Sequence, residues 1–171
     1  MTITPATPAD IPALVPLVNA AYRGQGEDSP KGWTSESHLI SGARTNAAGI
    51  AEILQNPDSV ILKCIAKNGT LLGCVHLEKQ EEKLYLGMLS VWPQSQGEGI
   101  GKHLLSAATD YAATNNCKKI HITVISARPE LIAWYERHGY QRTGEIQSFH
   151  HGEKFGIQKQ PLELVVLEKS I

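Results

Sequence analysis

The stretch that decides the fold runs from Leu89 to Lys102 and reads LSVWPQSQGEGIGK. It begins as the end of a strand-like apolar run, passes through a glycine-rich turn and continues into residues with helical spacing. Glycines at 97, 99 and 101 leave backbone N–H groups uncovered at this turn. Because the positive end of the helix dipole adds to those N–H groups, the turn is predicted to cradle an anion such as a pyrophosphate.

Spacing excludes two nucleotide-binding patterns at the same turn. The dinucleotide fingerprint G-x-G-x-x-G, started at Gly97, requires a sixth-position glycine where Lys102 stands. The triphosphate loop G-x-x-x-x-G-K-[ST], ended at Gly101 and Lys102, requires glycine where Gln96 stands and serine or threonine where His103 stands. Neither nucleotide-binding pattern therefore fits the turn.

The sequence before the turn predicts an antiparallel meander, and the sequence after it predicts a parallel crossover. Three strand-like runs follow one another at Ser59 to Ala66, Leu71 to Glu78 and Lys83 to Val91, and polar turns join them. A helical stripe from Gly101 to Ala113 leads into an alternating run from Lys118 to Ile125. Since strand, helix and strand in this order form a crossover, the strand from Lys83 to Val91 and the strand from Lys118 to Ile125 are expected to be parallel.

The remaining segments complete an α/β chain with a mixed central sheet. Further helices are predicted at 11–22, near Ser35 to Ile40, at Asn46 to Gln55 and at Pro129 to His138, and further strands at Tyr140 to Ile146 and Leu162 to Glu168.

Length and composition indicate a single domain over residues 1–171. Of the 171 residues, 42% are hydrophobic and 19% are charged. This composition suffices for a hydrophobic core that needs no disulfide or structural metal. A formal net charge of −1, with both signs spread along the chain, predicts binding to neither nucleic acid nor membrane. Three cysteines, Cys64, Cys74 and Cys117, form no C-x-x-C pair and are interpreted as buried free thiols in a reducing cytosol. Short, interrupted apolar runs exclude a signal peptide, so a cytoplasmic location is expected.

Two motifs together resemble the GNAT superfamily of acyl-CoA-dependent N-acetyltransferases. Gln96, Gly99 and Gly101, preceded by the strand that ends at Val91, are similar to its acyl-CoA-binding motif. The stretch WYERHGY from Trp134 to Tyr140 looks like the family's second helix motif, at a matching distance. The resemblance implies a mixed, mostly antiparallel sheet of about seven strands flanked by helices, and a single N-acetyltransferase domain with acetyl-CoA as co-substrate and no metal.

The resemblance also implies roles for individual residues. Strand residues would pair with the pantetheine arm, and N–H groups of the turn would hold the pyrophosphate. Tyr135 falls where the family commonly places a tyrosine that protonates the departing thiolate, although its periodicity also suits a core aromatic. The residues implied to bind acetyl-CoA are Leu89, Ser90, Val91, Gln96, Gly97, Glu98, Gly99, Ile100, Gly101 and Lys102.

The general base is less clearly marked. Some relatives carry a glutamate or histidine where this chain has Tyr85, which is a poor base. His76 and Glu78, on one face of the preceding strand, are the next candidates, and a water relay is the competing answer. Arg128 stands where many relatives have asparagine; it is interpreted as a surface residue, with a contact to CoA or to the substrate as the alternatives.

The resemblance further implies that the acceptor lies against the first helix, the loop after it and the loop between the last two strands. Candidate contacts are Tyr22, Trp33, Glu36, Tyr85 and Phe149. Aromatic side chains with acidic ones suit a cationic amine, so the leading hypothesis is transfer to the primary amine of a small molecule. A protein or peptide amine and a non-catalytic acyl-CoA sensor are the alternatives, and a homodimer is left open. His150 and His151 are adjacent and lack a third ligand at metal-site spacing, so no metal is expected.

Overall fold

The computed structural model of the chain describes residues 1–24, 34–149 and 156–171. The helices in these ranges are α1 (Ile11–Arg23), α2 (Ala47–Gln55), α3 (Ile100–Thr114) and α4 (Pro129–Arg137). The strands are β1 (Thr2–Pro5), β2 (Ile40–Ser41), β3 (Ser59–Ile65), β4 (Leu71–Gln80), β5 (Lys83–Val91), β6 (Lys119–Ile125), β7 (Gln141–Ser148), β8 (Ile157–Gln158) and β9 (Glu163–Ser170). Single turns of 3-10 helix precede α1 and α3.

Seven of the strands form one sheet in the order β1-β3-β4-β5-β6-β9-β7. Every neighbouring pair is antiparallel except β5 and β6, which are joined through α3 and run parallel. The predicted α/β fold with a mixed, mostly antiparallel seven-stranded sheet is therefore confirmed. The two short strands β2 and β8 pair with each other outside this sheet.

A hydrophobic core lies on each face of the sheet. On one face α1 and α2 cover the strands, with Leu14, Leu17 and Ile50 packed among Ile61 and Met88. On the other face α3 and α4 pack over the sheet in a second, larger cluster. The three cysteines are buried free thiols in these cores, as predicted.

One predicted helix is wrong. Residues Ser35 to Ile40 form a turn that leads into β2 instead of a helix. The Ser35 hydroxyl accepts a hydrogen bond from the Ser37 N–H at 3.2 Å, and the N–H groups of Leu39 and Ile40 both donate to the Glu36 carbonyl. The single turn at Glu36 is not continued, because Ser35 makes a local side-chain bond and Ile40 enters β2, which pairs with β8.

The pairing between β5 and β6 is incomplete, and this opens the sheet. Only Lys83, Leu84 and Tyr85 of β5 have partners on β6, where they face Lys119, Ile120 and His121. On its other side β5 stays paired with β4 as far as Val91, with an irregularity between Cys74 and His76, and Met88 in this region has φ +53°. The later half of β5 therefore presents an open edge toward β6.

Within the described ranges, no helix is both long and apolar enough to cross a membrane.

Candidate active site

Two clefts open where β5 and β6 separate. The first cleft, of about 690 Å³, is lined by the end of β5, the glycine turn, the start of α3 and one side of α4. The second cleft, of about 390 Å³, is lined by α1, α2, β4, β5 and β6. Four residues line both clefts: Tyr22, Arg128, Leu131 and Tyr135. We call this shared boundary the junction.

The glycine turn forms an exposed backbone cradle on the floor of the first cleft. Gly97 and Gly99 have φ +87° and +83°, a conformation that favours glycine, and a Cβ built on either would meet no atom within 4 Å. Gly99 is the N-cap of α3 and gives it no side-chain cap, so the first N–H groups of the helix stay open to a ligand. The Gln96 side chain donates to the Val91 carbonyl at 3.2 Å and ties the turn to the strand.

Eight of the ten residues implied by the resemblance to bind acetyl-CoA line the first cleft; Ser90 and Glu98 do not. The Ser90 side chain is 1% exposed and its hydroxyl donates to the Met88 carbonyl at 3.0 Å. It points away because side chains alternate along a strand, and its neighbours Leu89 and Val91 take the cleft side. Glu98 is exposed on the outside of the turn.

The charge of the first cleft suits a polyanion. Its described lining includes Lys102, Arg128 and Arg137 together with His138, and no aspartate or glutamate. Gly101 lets α3 pack closely against α4 beside this cleft, since a Cβ on Gly101 would lie 3.3 Å from the Trp134 ring of α4. The helix start, the open N–H groups and the basic lining therefore fit a ligand that carries several phosphates.

Tyr135 lies at the junction of the two clefts. It is 6% exposed and packs edge-on against Trp134 and Tyr140, with ring centroids 5.1 and 5.6 Å away. Burial raises the pKa of the Tyr135 hydroxyl well above its usual value. The phenol therefore stays protonated at neutral pH and is available as a proton donor.

Arg128 is buried, so its interpretation as a surface residue is wrong. Only 4% of it is exposed; its Nη1 donates to the Glu36 carboxylate at 3.2 Å and its Nη2 donates to the Thr34 hydroxyl at 2.9 Å. Arg23 approaches the same carboxylate at 2.7 Å. Because 92 residues separate Glu36 from Arg128 in the chain, no local pattern indicated the pair.

Glu36 lines the second cleft, but two guanidinium groups already engage its carboxylate. This weakens the expectation that it attracts a cationic amine.

The second cleft brings together His76, Glu78 and Tyr85, on neighbouring strands β4 and β5. His76 Nε2 lies 3.1 Å from the Ser59 hydroxyl, and burial lowers its pKa. Glu78 accepts hydrogen bonds from Asn56 at 2.9 Å and from the Gln80 side chain at 3.0 Å. Burial raises the pKa of Tyr85, so its hydroxyl stays protonated and cannot accept a proton. His76 is thus the group in this set that is most easily kept neutral and able to accept a proton.

Some of the remaining candidate contacts line the second cleft, and others lie outside the described residues. Tyr22 and Phe149 line the second cleft, and Phe149 packs in a small apolar cluster with Leu164. Trp33, His150 and His151 lie outside the described residues.

Sequence reasoning missed Arg44 altogether. Its guanidinium lies over the Tyr22 ring, 5.1 Å from the centroid, and it lines the second cleft. It sits in a short segment between β2 and α2 with neither periodicity nor a motif, so nothing in the sequence marked it.

Comparison with known proteins now assigns the family. The sequence family described as Acetyltransferase (GNAT) family matches residues 18–140. The chain belongs to the GNAT family. It is 30% identical over 147 residues to the uncharacterized N-acetyltransferase YhfO of Bacillus subtilis (strain 168), an alignment that covers 82% of this chain and 90% of that protein.

Two further comparisons show how broad this family is. The chain is 26% identical over 83 residues to the spermine/spermidine N(1)-acetyltransferase of the same organism, covering 48% of this chain and 53% of the relative. The crystal structure of ribosomal-protein-alanine N-acetyltransferase from Brucella melitensis superimposes with a TM-score of 0.73 over 100% of both chains. At 21% identity that likeness supports the fold alone.

This GNAT protein is an acyl-CoA-dependent N-acetyltransferase, and enzymes of the family use acetyl-CoA as co-substrate. The first cleft has the features that this molecule needs. The open N–H groups of the glycine turn suit its pyrophosphate, and the open edge of β5 offers N–H and C=O groups to its amide-bearing arm.

Replacing Gly99 with alanine tests the cradle. Alanine at φ +83° shifts the turn that presents the N–H groups. We expect the dissociation constant for CoA to rise at least about tenfold, because one hydrogen bond to a charged group is lost. Isothermal titration calorimetry measures this dissociation constant.

Gly69→Ala is the matched control. Gly69 has φ +87° and open surroundings like Gly99, but lies in the turn between β3 and β4. Both variants should lose about 1 kcal/mol of unfolding free energy, and only Gly99→Ala should lose CoA affinity. Equal CoA binding by the two variants would contradict the assignment of the cradle.

Proposed function

We propose that the protein transfers the acetyl group of acetyl-CoA to the primary amine of a small molecule, by direct attack within a ternary complex. The observation that supports this is the junction. There a basic, glycine-floored cleft suited to the donor meets a smaller cleft that contains a proton acceptor, with Tyr135 between them. Two substrates held on either side of Tyr135 can react without a covalent enzyme intermediate.

The reaction needs one proton removed and one proton supplied. The attacking amine must be neutral, and after the new C–N bond forms and the C–S bond breaks, the departing thiolate takes up a proton. Tyr135 is the proposed donor, because burial keeps its phenol protonated. A tyrosine at the boundary of the two clefts can reach a sulfur that enters from the first cleft.

His76 is the proposed proton acceptor. Burial lowers its pKa, so the imidazole is neutral at physiological pH, and the contact with Ser59 orients the ring. Glu78 is less suited because Asn56 and Gln80 already donate to its carboxylate oxygens. Transfer through a water in the second cleft is the alternative to direct removal by His76.

The second cleft favours a small acceptor over a protein chain. Its volume of about 390 Å³ falls within the usual range for small-molecule pockets, and Phe149 and the Arg128–Glu36 pair wall it. The comparisons include both kinds of enzyme, since one relative is named for polyamines and one structural neighbour for a ribosomal-protein alanine. The family alone does not choose between them.

A turnover screen tests the substrate class. Release of free CoA thiol is measured with acetyl-CoA and a panel of amino acids, polyamines, aminoglycosides and peptides, and we expect turnover on a small amine. Turnover on peptides alone would overturn the small-molecule assignment, and CoA binding without turnover on any amine would favour an acyl-CoA sensor.

Tyr135→Phe tests the proton donor. Loss of the hydroxyl should lower kcat about 100-fold and leave CoA affinity unchanged, because general acid catalysis typically contributes that much. Steady-state kinetics and calorimetry provide the two measurements.

Tyr140→Phe is its control. The ring centroid of this buried tyrosine lies 5.6 Å from that of Tyr135, and the residue lines neither cleft. Its hydroxyl has no hydrogen-bond partner among the described residues. It should keep wild-type kcat. Undiminished turnover in Tyr135→Phe would reduce Tyr135 to a packing role.

His76→Gln tests the base through the pH profile. A base works only when deprotonated, so wild-type kcat/KM should fall as pH drops through the lowered pKa of His76. The variant should lose about 10- to 100-fold in kcat/KM and lose that inflection.

His121→Gln is the matched control, and Glu78→Gln tests the other candidate. His121 flanks Tyr85 from the opposite side, has a pKa also lowered by burial and lines neither cleft, so its variant should keep the inflection. Loss of the inflection in Glu78→Gln but not in His76→Gln would transfer the role to Glu78. An unchanged profile in both His76→Gln and Glu78→Gln would favour the water relay.

A further inference from the structure

The Tyr85 side chain lies along β5, over Gly87. A Cβ built on Gly87 would collide with the Tyr85 hydroxyl and would lie 2.7 and 2.8 Å from the ring carbons Cζ and Cε1. Any other residue at position 87 would therefore displace the phenol from this place. Because Tyr85 is the last residue of β5 that pairs with β6, its phenol extends over the part of β5 that has no partner on β6.

Two histidine rings flank the phenol. The ring centroid of His76 lies 5.8 Å from that of Tyr85, with the two planes at 74°, and the ring centroid of His121 lies 5.6 Å away. His76 is also the residue of β4 that pairs with Gly87, so the hydroxyl end of Tyr85 lies close to the proposed proton acceptor. A side chain that is confined in this way presents its polar atom in one place.

The Tyr85 hydroxyl can act as a hydrogen-bond donor to a ligand. The residues that the structure describes form no hydrogen bond with it, and burial raises its pKa, so the proton stays on the phenol. An attacking amine uses its lone pair on the carbonyl carbon and cannot accept a hydrogen bond from the phenol at that moment. The thioester carbonyl oxygen can accept one, and it gains negative charge as the amine attacks.

The reacting carbonyl is expected close to this hydroxyl. Met88 lines the second cleft and Leu89 lines the first, so β5 passes from one cleft to the other at this point. An acyl-CoA arm paired with the open edge of β5, with its phosphates at the glycine turn, carries its thioester back to the same point. Burial raises the pKa of Tyr22 to about 12 and that of Tyr135 well above its usual value, and the nearby Tyr85 adds to both shifts. The Tyr85 phenol therefore lies within electrostatic reach of both tyrosines of the junction.

We propose that Tyr85 is a catalytic residue whose hydroxyl donates a hydrogen bond to the carbonyl oxygen of the acetyl group and stabilises the oxyanion that forms there. The inference rests on the proposed direct attack and adds a further group to it. As the C–N bond forms, the π electrons of the carbonyl move to oxygen, and when they return the C–S bond breaks. Tyr85 keeps its proton throughout; the amine proton goes to His76, and Tyr135 supplies the proton that the thiolate takes up.

Tyr85→Phe tests the hydrogen bond. Phenylalanine keeps the ring over Gly87 and removes only the hydroxyl. We expect the rate of a single turnover to fall about 100-fold, the usual effect of removing one oxyanion donor, while the dissociation constant for CoA stays unchanged. Tyr111→Phe is the matched control, because Tyr111 is on α3 and lines neither cleft, and it should keep the wild-type rate.

Gly87→Ala tests the position of the phenol without changing Tyr85. Gly87 has no positive φ that alanine would strain, and the added methyl group displaces the far end of a side chain that can rotate. We expect this variant to lose about as much rate as Tyr85→Phe, and the double variant to lose no more than either single variant. Additive losses in the double variant would contradict the proposal, because the two changes would then act separately.

Infrared spectroscopy gives a readout that packing alone would not change. The probe is acetyl-CoA labelled with carbon-13 at the thioester carbonyl and bound to the enzyme without an amine. A hydrogen bond to the carbonyl oxygen lowers its stretching frequency, so the band should lie at higher frequency in Tyr85→Phe and Gly87→Ala than in the wild type. An unchanged band in Tyr85→Phe would overturn the proposal, as would an unchanged single-turnover rate or an effect confined to KM for the amine.

Failure of the proposed function is distinguishable from failure of this inference. If acetyl-CoA binds and no amine is acetylated, the proposed function fails. The carbonyl band then decides the inference by itself, because the complex in which it is measured contains no acceptor. A band that moves to higher frequency in Tyr85→Phe supports the hydrogen bond, and a band that stays in place overturns it.

Discussion

The incomplete pairing between β5 and β6 is the constraint on which the rest of the structure depends. Three residue pairs join these strands, and beyond Tyr85 they separate. Each strand remains paired along its other edge, β5 with β4 and β6 with β9, so the opening costs the sheet little of its ladder. A parallel pair tolerates this because its connection passes through α3, which need not hold the strand ends together. The opening creates both clefts and an exposed strand edge between them.

The junction is held by buried charge. Arg128 and Arg23 converge on Glu36, and Thr34 accepts from Arg128 and donates to Glu130. Removing ions from water is costly, and a buried carboxylate persists only where cations and hydrogen bonds compensate it. This network ties the start of α4, which carries Tyr135, to the segment after α1. The boundary of the two clefts therefore depends on interactions between segments that lie 92 residues apart in the chain.

The two clefts present different groups to a ligand. The first offers mainly backbone N–H groups at a helix start, which suit phosphate in any protein that adopts this turn. The second offers side chains from α1, α2, β4, β5 and β6 and the segments between them. A common donor and a variable acceptor are consistent with this division, since backbone geometry persists while side chains change. It also agrees with the different acceptors named for the relatives.

Local sequence patterns predicted the glycine turn and the strands and helix around it. Glycine spacing at 97, 99 and 101, an apolar run before it and a helical stripe after it are local patterns, and local patterns set backbone dihedrals and the faces of helices and strands. The antiparallel meander, the parallel crossover and the glycine turn followed from them, whereas the count of seven strands and the role expected of Tyr135 came from the resemblance to the GNAT family.

Only the tertiary structure decided the acceptor side. It buried Arg128 against Glu36, brought Arg44 over Tyr22 and replaced a predicted helix with the turn at Ser35. Contacts between residues 92 positions apart depend on strand order and on how helices lie across the sheet, and no periodicity within either segment encodes them. The glycine turn could be read from one segment because it is one segment, whereas both clefts are assembled from residues that are distant in the chain.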